Sequence, residues 1–192
     1  DAGAPQGTRA GPDVFKVLIN DLHLSLPYVK YVDDVSAMSV STDPNDDSLQ
    51  QAVNDTYAWS LEHGMVLNAT KSKEMCVVFT KAIDKQFITP ININNEIVER
   101  VASFKLLGVI IRCDLSWQEH VDYIITKASK RFYVLCQLKR SGVCNLDIIA
   151  VYCSLIRSVV EYASPVWHSG LTKNQSDLIE GVQKRCLRII LI

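Results

Sequence analysis

The sequence predicts an α+β chain, with strands and helices mixed up to about residue 113 and helices alone over 114–192. Three observations lead there. Runs of β-branched and aromatic residues, such as "YVKYVDDVSAMSV" (Tyr28 to Val40) and "SFKLLGVIIR" (Ser103 to Arg112), alternate with segments of helical apolar period. After Leu115 the helical period continues without further strand patterns. The charge also changes: residues 1–100 carry 8 Lys and Arg against 14 Asp and Glu, and residues 101–192 carry 12 against 7.

Each element has its own local reason. The first twelve residues hold three glycines and two prolines and begin as a loop. Pro12 suits a first helical turn, and Phe15, Leu18, Ile19 and Leu22 then recur at helical spacing. Tyr28 to Val40 reads as a hairpin with Asp33 and Asp34 at its turn. Leu49, Val53, Tyr57 and Leu61 fall every four residues, behind acidic residues and ahead of Gly64, as helix ends favour. "KEMCVVFT" (Lys73 to Thr80) reads as a buried strand and "ITPININNEIVERV" (Ile88 to Val101) as a hairpin across Asn94 and Asn95. Ser103 to Arg112 reads as one further strand, with Gly108 marking a bulge or a close backbone contact. "SWQE" fits a capping box of Ser116 and Glu119. Val121, Ile124, Ile125, Ala128, Phe132, Leu135 and Leu138 follow as one apolar face that runs to Gly142. A second helix is expected from about Asn145 to Tyr162, ahead of Pro165, and a third from near Thr172, with Gln175 three residues on.

Composition excludes several classes. At 192 residues and 48% hydrophobic the chain is long enough for one core or two small ones. No apolar run reaches the roughly 18 residues of a membrane span, and no signal-peptide pattern is visible. Cys76, Cys113, Cys136, Cys144, Cys153 and Cys186 include no CxxC pair and mostly lie in apolar helical patterns, so buried thiols in a reducing intracellular compartment, nuclear or cytoplasmic, are expected. His23, His63, His120 and His168 have no metal-ligand spacing with them, which argues against zinc.

Three stretches carry candidate chemistry. Asp33 and Asp34 are adjacent carboxylates between apolar β-formers; the pair is either a solvated hairpin tip or a site for Mg²⁺, which takes hard oxygen ligands. "GAPQGTRAGP" (Gly3 to Pro12) is either a surface loop or a backbone-exposing loop ahead of a helix N-terminus, with the Gln6 amide and Arg9 fork as ligand contacts. "LNATKSKEM" (Leu67 to Met75) is either a solvated loop or a source of lysines for a triphosphate and its departing pyrophosphate. The acidic first part and basic second part suit a metal site joined to a nucleic-acid-binding part, and equally two solvated surfaces.

Taken in order, these stretches resemble the reverse transcriptase of non-LTR retrotransposons of the jockey/CR1-like type. The family's Gly-x-Pro-Gln-Gly segment and following apolar helix match Gly3 to Leu22. Its Tyr/Phe-x-Asp-Asp box matches Tyr31 to Asp34, and its Asn-x-x-Lys segment matches Asn68 to Lys73. Its "FKLLGV.I...L.W..H" segment matches Phe104 to His120, and the tail from Tyr152 looks like the region that follows. The resemblance implies a partial polymerase palm, an antiparallel sheet with packed helices, over 1–113 and a helical thumb-like region over 114–192. Pro5, Gln6, Gly7 and Tyr31 would lie near the template base and incoming nucleotide. Asp33, with Asp34 in a lesser role, would bind Mg²⁺ or Mn²⁺, and Lys71 would sit near the leaving pyrophosphate. Leu107 and Gly108 would lie in a hairpin that grips the primer end, and Lys127, Lys130 and Arg131 would follow the nucleic-acid backbone. The implied partners are an RNA template, a DNA primer and deoxynucleoside triphosphates, without a membrane.

The family's palm carries a further catalytic Asp upstream of its Gly-x-Pro-Gln-Gly loop, and Asp1, two residues before Gly3, stands in the wrong place for it. The sequence therefore reads as a palm-and-thumb fragment expected to be inactive alone. The alternatives are a non-enzymatic nucleic-acid-binding remnant and a helical interaction module with an incidental acidic hairpin.

Overall fold

A computed structural model describes residues 11–43, 45–79 and 88–191. Helices and small two-stranded sheets are mixed, an α+β architecture, and the chain divides after Val101 into two compact units. The division puts the strands of Ser103 to Arg112 with the helices that follow them.

In the first unit, helix α1 (Gly11–Asn20) buries Ile19, and Leu22 just beyond it is also buried. Strands β1 (Tyr28–Tyr31) and β2 (Asp34–Ala37) form the expected antiparallel hairpin, with Tyr31 opposite Asp34. Its two loop residues are Val32 and Asp33, so the turn sits one residue earlier than the Asp-Asp pair, and Asp34 opens β2. Helix α2 (Ser48–Glu62) follows. The Asp46 carboxylate accepts the Ser48 N–H at 2.9 Å, which also holds that carboxyl below the usual range. Strands β4 (Asn92–Ile93) and β5 (Glu96–Ile97) make the predicted hairpin, with Asn94 and Asn95 at φ +48° and +63° as a tight two-residue turn requires. The Gln50 amide joins it to α2, donating to Asn92 O at 2.9 Å and accepting the Asn92 N–H at 2.8 Å.

The expected strand from Lys73 is much shorter: β3 covers Lys73–Glu74 and pairs in parallel with β6 (Glu99–Arg100). Residues 75–79 are not strand, because no neighbouring strand among the described residues continues that ladder, and Thr80 lies outside the described residues. Glu74 is buried and paired with Arg100, whose guanidinium donates to it at 2.8 and 3.2 Å.

In the second unit, β7 (Ser103–Leu106) and β8 (Val109–Arg112) form a hairpin, where the local pattern had suggested one strand. Leu107 and Gly108 both have positive φ, +46° and +90°, so the chain reverses where apolar residues flank it on either side. Helix α3 (Gln118–Ser129) starts at Trp117 without the expected capping box. Asp114 takes the Ser116 N–H and hydroxyl at 3.0 and 2.8 Å, while Glu119 turns to Ser103 Oγ and Arg112. The long apolar face is split between α3 and α4 (Phe132–Arg140). Between them the Arg131 N–H bonds to Ala128 O and the Val134 N–H to Arg131 O, a tightening to three-residue spacing that no Gly or Pro announces.

Helix α5 (Asn145–Tyr152) runs through a π-helical turn (Cys153–Arg157) into α6 (Ser158–Val160). Ala163, at φ +52°, ends this run, and Pro165 then enters the short α7 (Ser164–Trp167). Helix α8 (Lys173–Leu191) does carry a capping box: the Thr172 N–H donates to Gln175 Oε1 at 2.9 Å and the Gln175 N–H to Thr172 Oγ1 at 3.3 Å. α8 packs on α3, α4 and α5 around Leu135, Ile148, Ile156, Cys186 and Ile190. A second cluster joins Val109, Ile124, Val159 and Trp167. Of the six cysteines only Cys186 is buried; Cys144, the N-cap of α5, and Cys153, in the π-helical turn, are exposed. Among the described residues no helix is long and apolar enough to cross a membrane.

Candidate functional site

The acidic hairpin is held close to its tip. Lys30 sends its ammonium to carbonyls at and just beyond the end of α1, at 2.7 Å from Ile19 O, 3.3 Å from Asn20 O and 2.9 Å from Leu22 O. A cation at a helix C-terminus meets the negative end of the dipole and fills acceptors the helix leaves open. Lys30 pairs with Val35 across the hairpin, so this clamp lies next to the tip. The tip itself, Tyr31 to Asp34, is exposed. Val32 turns there at φ +55°, a conformation that β-branched residues rarely adopt. Neither aspartate carboxylate has a hydrogen-bond or ion-pair partner among the described residues.

Two exposed, adjacent carboxylates fit the donor set of Mg²⁺, which commonly takes one or two carboxylates and completes its shell with water and phosphate oxygens. No group of three His, Cys, Asp or Glu suited to a metal occurs among the described residues, so a cation here would rest on Asp33 and Asp34.

Lys71 stands on a loop organised by Asn68, whose side-chain oxygen accepts from the Lys71 N–H at 3.0 Å and the Thr70 hydroxyl at 2.7 Å. The Lys71 side chain is exposed and makes no bond to the hairpin, whereas Lys73 is engaged by Glu99 at 2.6 Å. Pro5, Gln6 and Gly7 lie outside the described residues. Leu107 and Gly108 form the β7–β8 turn, latched by the Tyr162 hydroxyl donating to Leu107 O at 2.9 Å. A Cβ on Gly108 would come within 3.1 Å of the Tyr162 ring. Lys127 and Lys130 are exposed on or just after α3, and Arg131 is half-buried with its guanidinium on Leu155 O at the π-helical turn. Of these three basic residues, Arg131 is engaged by the Leu155 carbonyl and Lys127 approaches the Tyr123 ring to 5.7 Å. Sequence reading missed Lys30, whose contacts span up to eleven residues.

The model for reverse transcriptase (RNA-dependent DNA polymerase) matches residues 1–111, more than half of the chain. The chain belongs to the reverse transcriptase family. The matched span of this reverse transcriptase chain includes the acidic hairpin, the Asn68 loop and the β7–β8 turn. The chain is 23% identical over 183 residues to the RNA-directed DNA polymerase from mobile element jockey of Drosophila funebris, covering 87% of this chain and 19% of that protein. It is 24% identical over 203 positions to the "Probable RNA-directed DNA polymerase from transposon BS" of Drosophila melanogaster, covering 98% and 22%. Within its family the chain is jockey-like, as the order of its motifs implies. It spans about a fifth of the length of these relatives. No solved structure matches it.

Proposed function

We propose that this reverse transcriptase chain contributes the palm hairpin and the thumb of an RNA-directed DNA polymerase that copies an RNA template onto a DNA primer. The observation that carries the reading is the hairpin at Tyr31 to Asp34: two exposed, unpartnered carboxylates clamped by Lys30 to α1, inside the span that matches the family. Asp33 and Asp34 are the candidate ligands of Mg²⁺ or Mn²⁺. Bound there, divalent cations would neutralise charge on the primer oxygen and the triphosphate during in-line displacement. Lys71 is exposed on the loop that Asn68 organises and is the candidate to neutralise charge on the leaving pyrophosphate. Tyr31 flanks the carboxylates, and Pro5, Gln6 and Gly7 are the candidate loop against template and nucleotide. The Leu107–Gly108 turn is the candidate primer contact, with Lys127, Lys130 and Arg131 toward the backbone.

Two measurements test this. Mn²⁺ added to the chain should broaden the amide resonances of Tyr31 to Val35 first, and Asp33→Asn should abolish that selectivity. In a polymerase carrying these residues, Asp33→Ala should lower template-directed incorporation by about 100-fold or more. Incorporation at the unsubstituted rate would remove the metal assignment.

A further inference from the structure

One cavity in the second unit gathers residues that no motif marked. It measures about 200 Å³ and is lined by Lys105, Gly108, Tyr123, Lys127, Ser158 and Tyr162, with Ile124 and Val159 at its apolar side. Lys105 Nζ donates to the Tyr123 hydroxyl oxygen at 2.7 Å and lies 4.4 Å from the centre of that ring. Lys127 Nζ approaches the same ring to 5.7 Å. Two ammonium groups therefore converge on one phenol, and no carboxylate lines the cavity.

Neither Lys105 nor Lys127 makes an ion pair among the described residues, so both ammonium charges stay unneutralised beside the cavity. Converging like charges cost energy unless an anion or aromatic face offsets them. The Tyr123 face does part of this, and the Tyr123 phenol is held below its usual range, chiefly by the Lys105 hydrogen bond. Because the phenol oxygen accepts from Lys105, its own proton is left to donate to a further acceptor. Beside the cavity the Leu107–Gly108 turn is fixed by the Tyr162 hydroxyl, and Gly108 presents bare backbone.

We propose that Lys105, Lys127 and the Tyr123 hydroxyl form a seat for one phosphate group, occupied by a phosphodiester of a nucleic-acid strand passing the Leu107–Gly108 turn. The choice of a strand over a free phosphate rests on the polymerase reading; the seat rests on the geometry. Lys105 and Tyr123 thereby join Lys127 as contact residues, and Tyr162 is a positioning residue that sets the turn.

The test uses the full chain with a short RNA–DNA duplex, followed by fluorescence anisotropy over a range of salt. Lys105→Gln should weaken binding about 5-fold at low salt and reduce the slope of log affinity against log salt by about 0.7 to 0.9, the loss of one phosphate contact. Lys105→Arg should keep the slope, and Lys130→Gln, outside the cavity, should act independently of either. In the unsubstituted protein the Tyr123 ring resonances should shift on adding duplex, and with inorganic phosphate only at much higher concentration. This arm holds even if a variant fails to fold. Tight duplex binding with an unchanged Lys105→Gln slope and a silent Tyr123 overturns the seat while leaving the polymerase reading intact. No duplex binding at low salt, with Tyr123 responding to inorganic phosphate, overturns the strand as occupant and counts against the polymerase reading. Silence toward both overturns the seat altogether.

Discussion

Val32 is where the acidic hairpin stores strain. Its φ of +55° places a β-branched side chain in the left-handed region, which costs an L-residue roughly 1–2 kcal/mol. The side chain is half exposed and buries little area in return. Replacing Val32 by Asn, which tolerates that region, should therefore raise stability by about 1 kcal/mol, read as a higher denaturant midpoint at unchanged slope. A lower midpoint would mean that the valine side chain holds the turn after all. Asp33 and Asp34 were legible in the sequence because charges interrupt a run of β-formers. The Lys30 clamp was not, because its acceptors are backbone carbonyls of another element and carry no sequence signal.

At the scale of elements, Ser116–Glu119 and Thr172–Gln175 carry the same Ser/Thr-x-x-Glu/Gln pattern, and only the second forms the cap. Thr172 and Gln175 exchange bonds at the start of α8, while Ser116 is diverted to Asp114. The Arg112 guanidinium fixes that competing carboxylate and, with the Ser116 donors, holds it well below the usual range. Thr172→Ala should then cost about 1 kcal/mol, typical of a lost N-cap, and Ser116→Ala clearly less, both read from thermal or denaturant melts. Equal losses would show that Ser116 supports α3 in solution. The same competition explains what the sequence hid. The strand pattern of Ser103 to Arg112 was legible locally and its reversal at Leu107 and Gly108 only through the family resemblance, while the Tyr162 latch on that turn comes from 55 residues away and carries no local signal. Likewise, the division of α3 from α4 depends on packing and not on a breaker residue.

Across the whole molecule, the two units are held by different means. Among the described residues the first unit buries five hydrophobic side chains and the second fifteen, so the first leans more on polar latches. One of these joins the end of α1 to α2: His63 Nε2 lies 3.1 Å from Asp21 Oδ2 and Nδ1 lies 2.9 Å from Trp59 O, while the Trp59 indole donates to Asp21 at 3.2 Å. Both ring nitrogens face acceptors, so the imidazolium is favoured and its pKa is raised, first by the Trp59 carbonyl and then by Asp21. In the second unit His120 is buried among the Trp117, Tyr123 and Trp167 rings. Its Nδ1 accepts the Ile110 N–H, its Nε2 has no partner among the described residues, and burial lowers its pKa. The signs are opposite. The raised His63 gives stability that is complete below the ordinary histidine value of about 6.5 and lost as pH rises through its folded pKa. The lowered His120 gives stability that is complete above about 6.5 and lost as pH falls through its folded pKa. Amide exchange, corrected for the chemical rate, should then show α2 losing protection as pH rises through the neutral range, and α3 with β8 losing it as pH falls below that range. His63→Gln should flatten only the first trend and His120→Gln only the second. The buried Cys186 thiol, pushed up to about 11, adds a loss in the second unit only at strongly alkaline pH, outside that window. If both units drifted in the same direction, or either substitution flattened both trends, these two histidines would not be the groups that set the pH response.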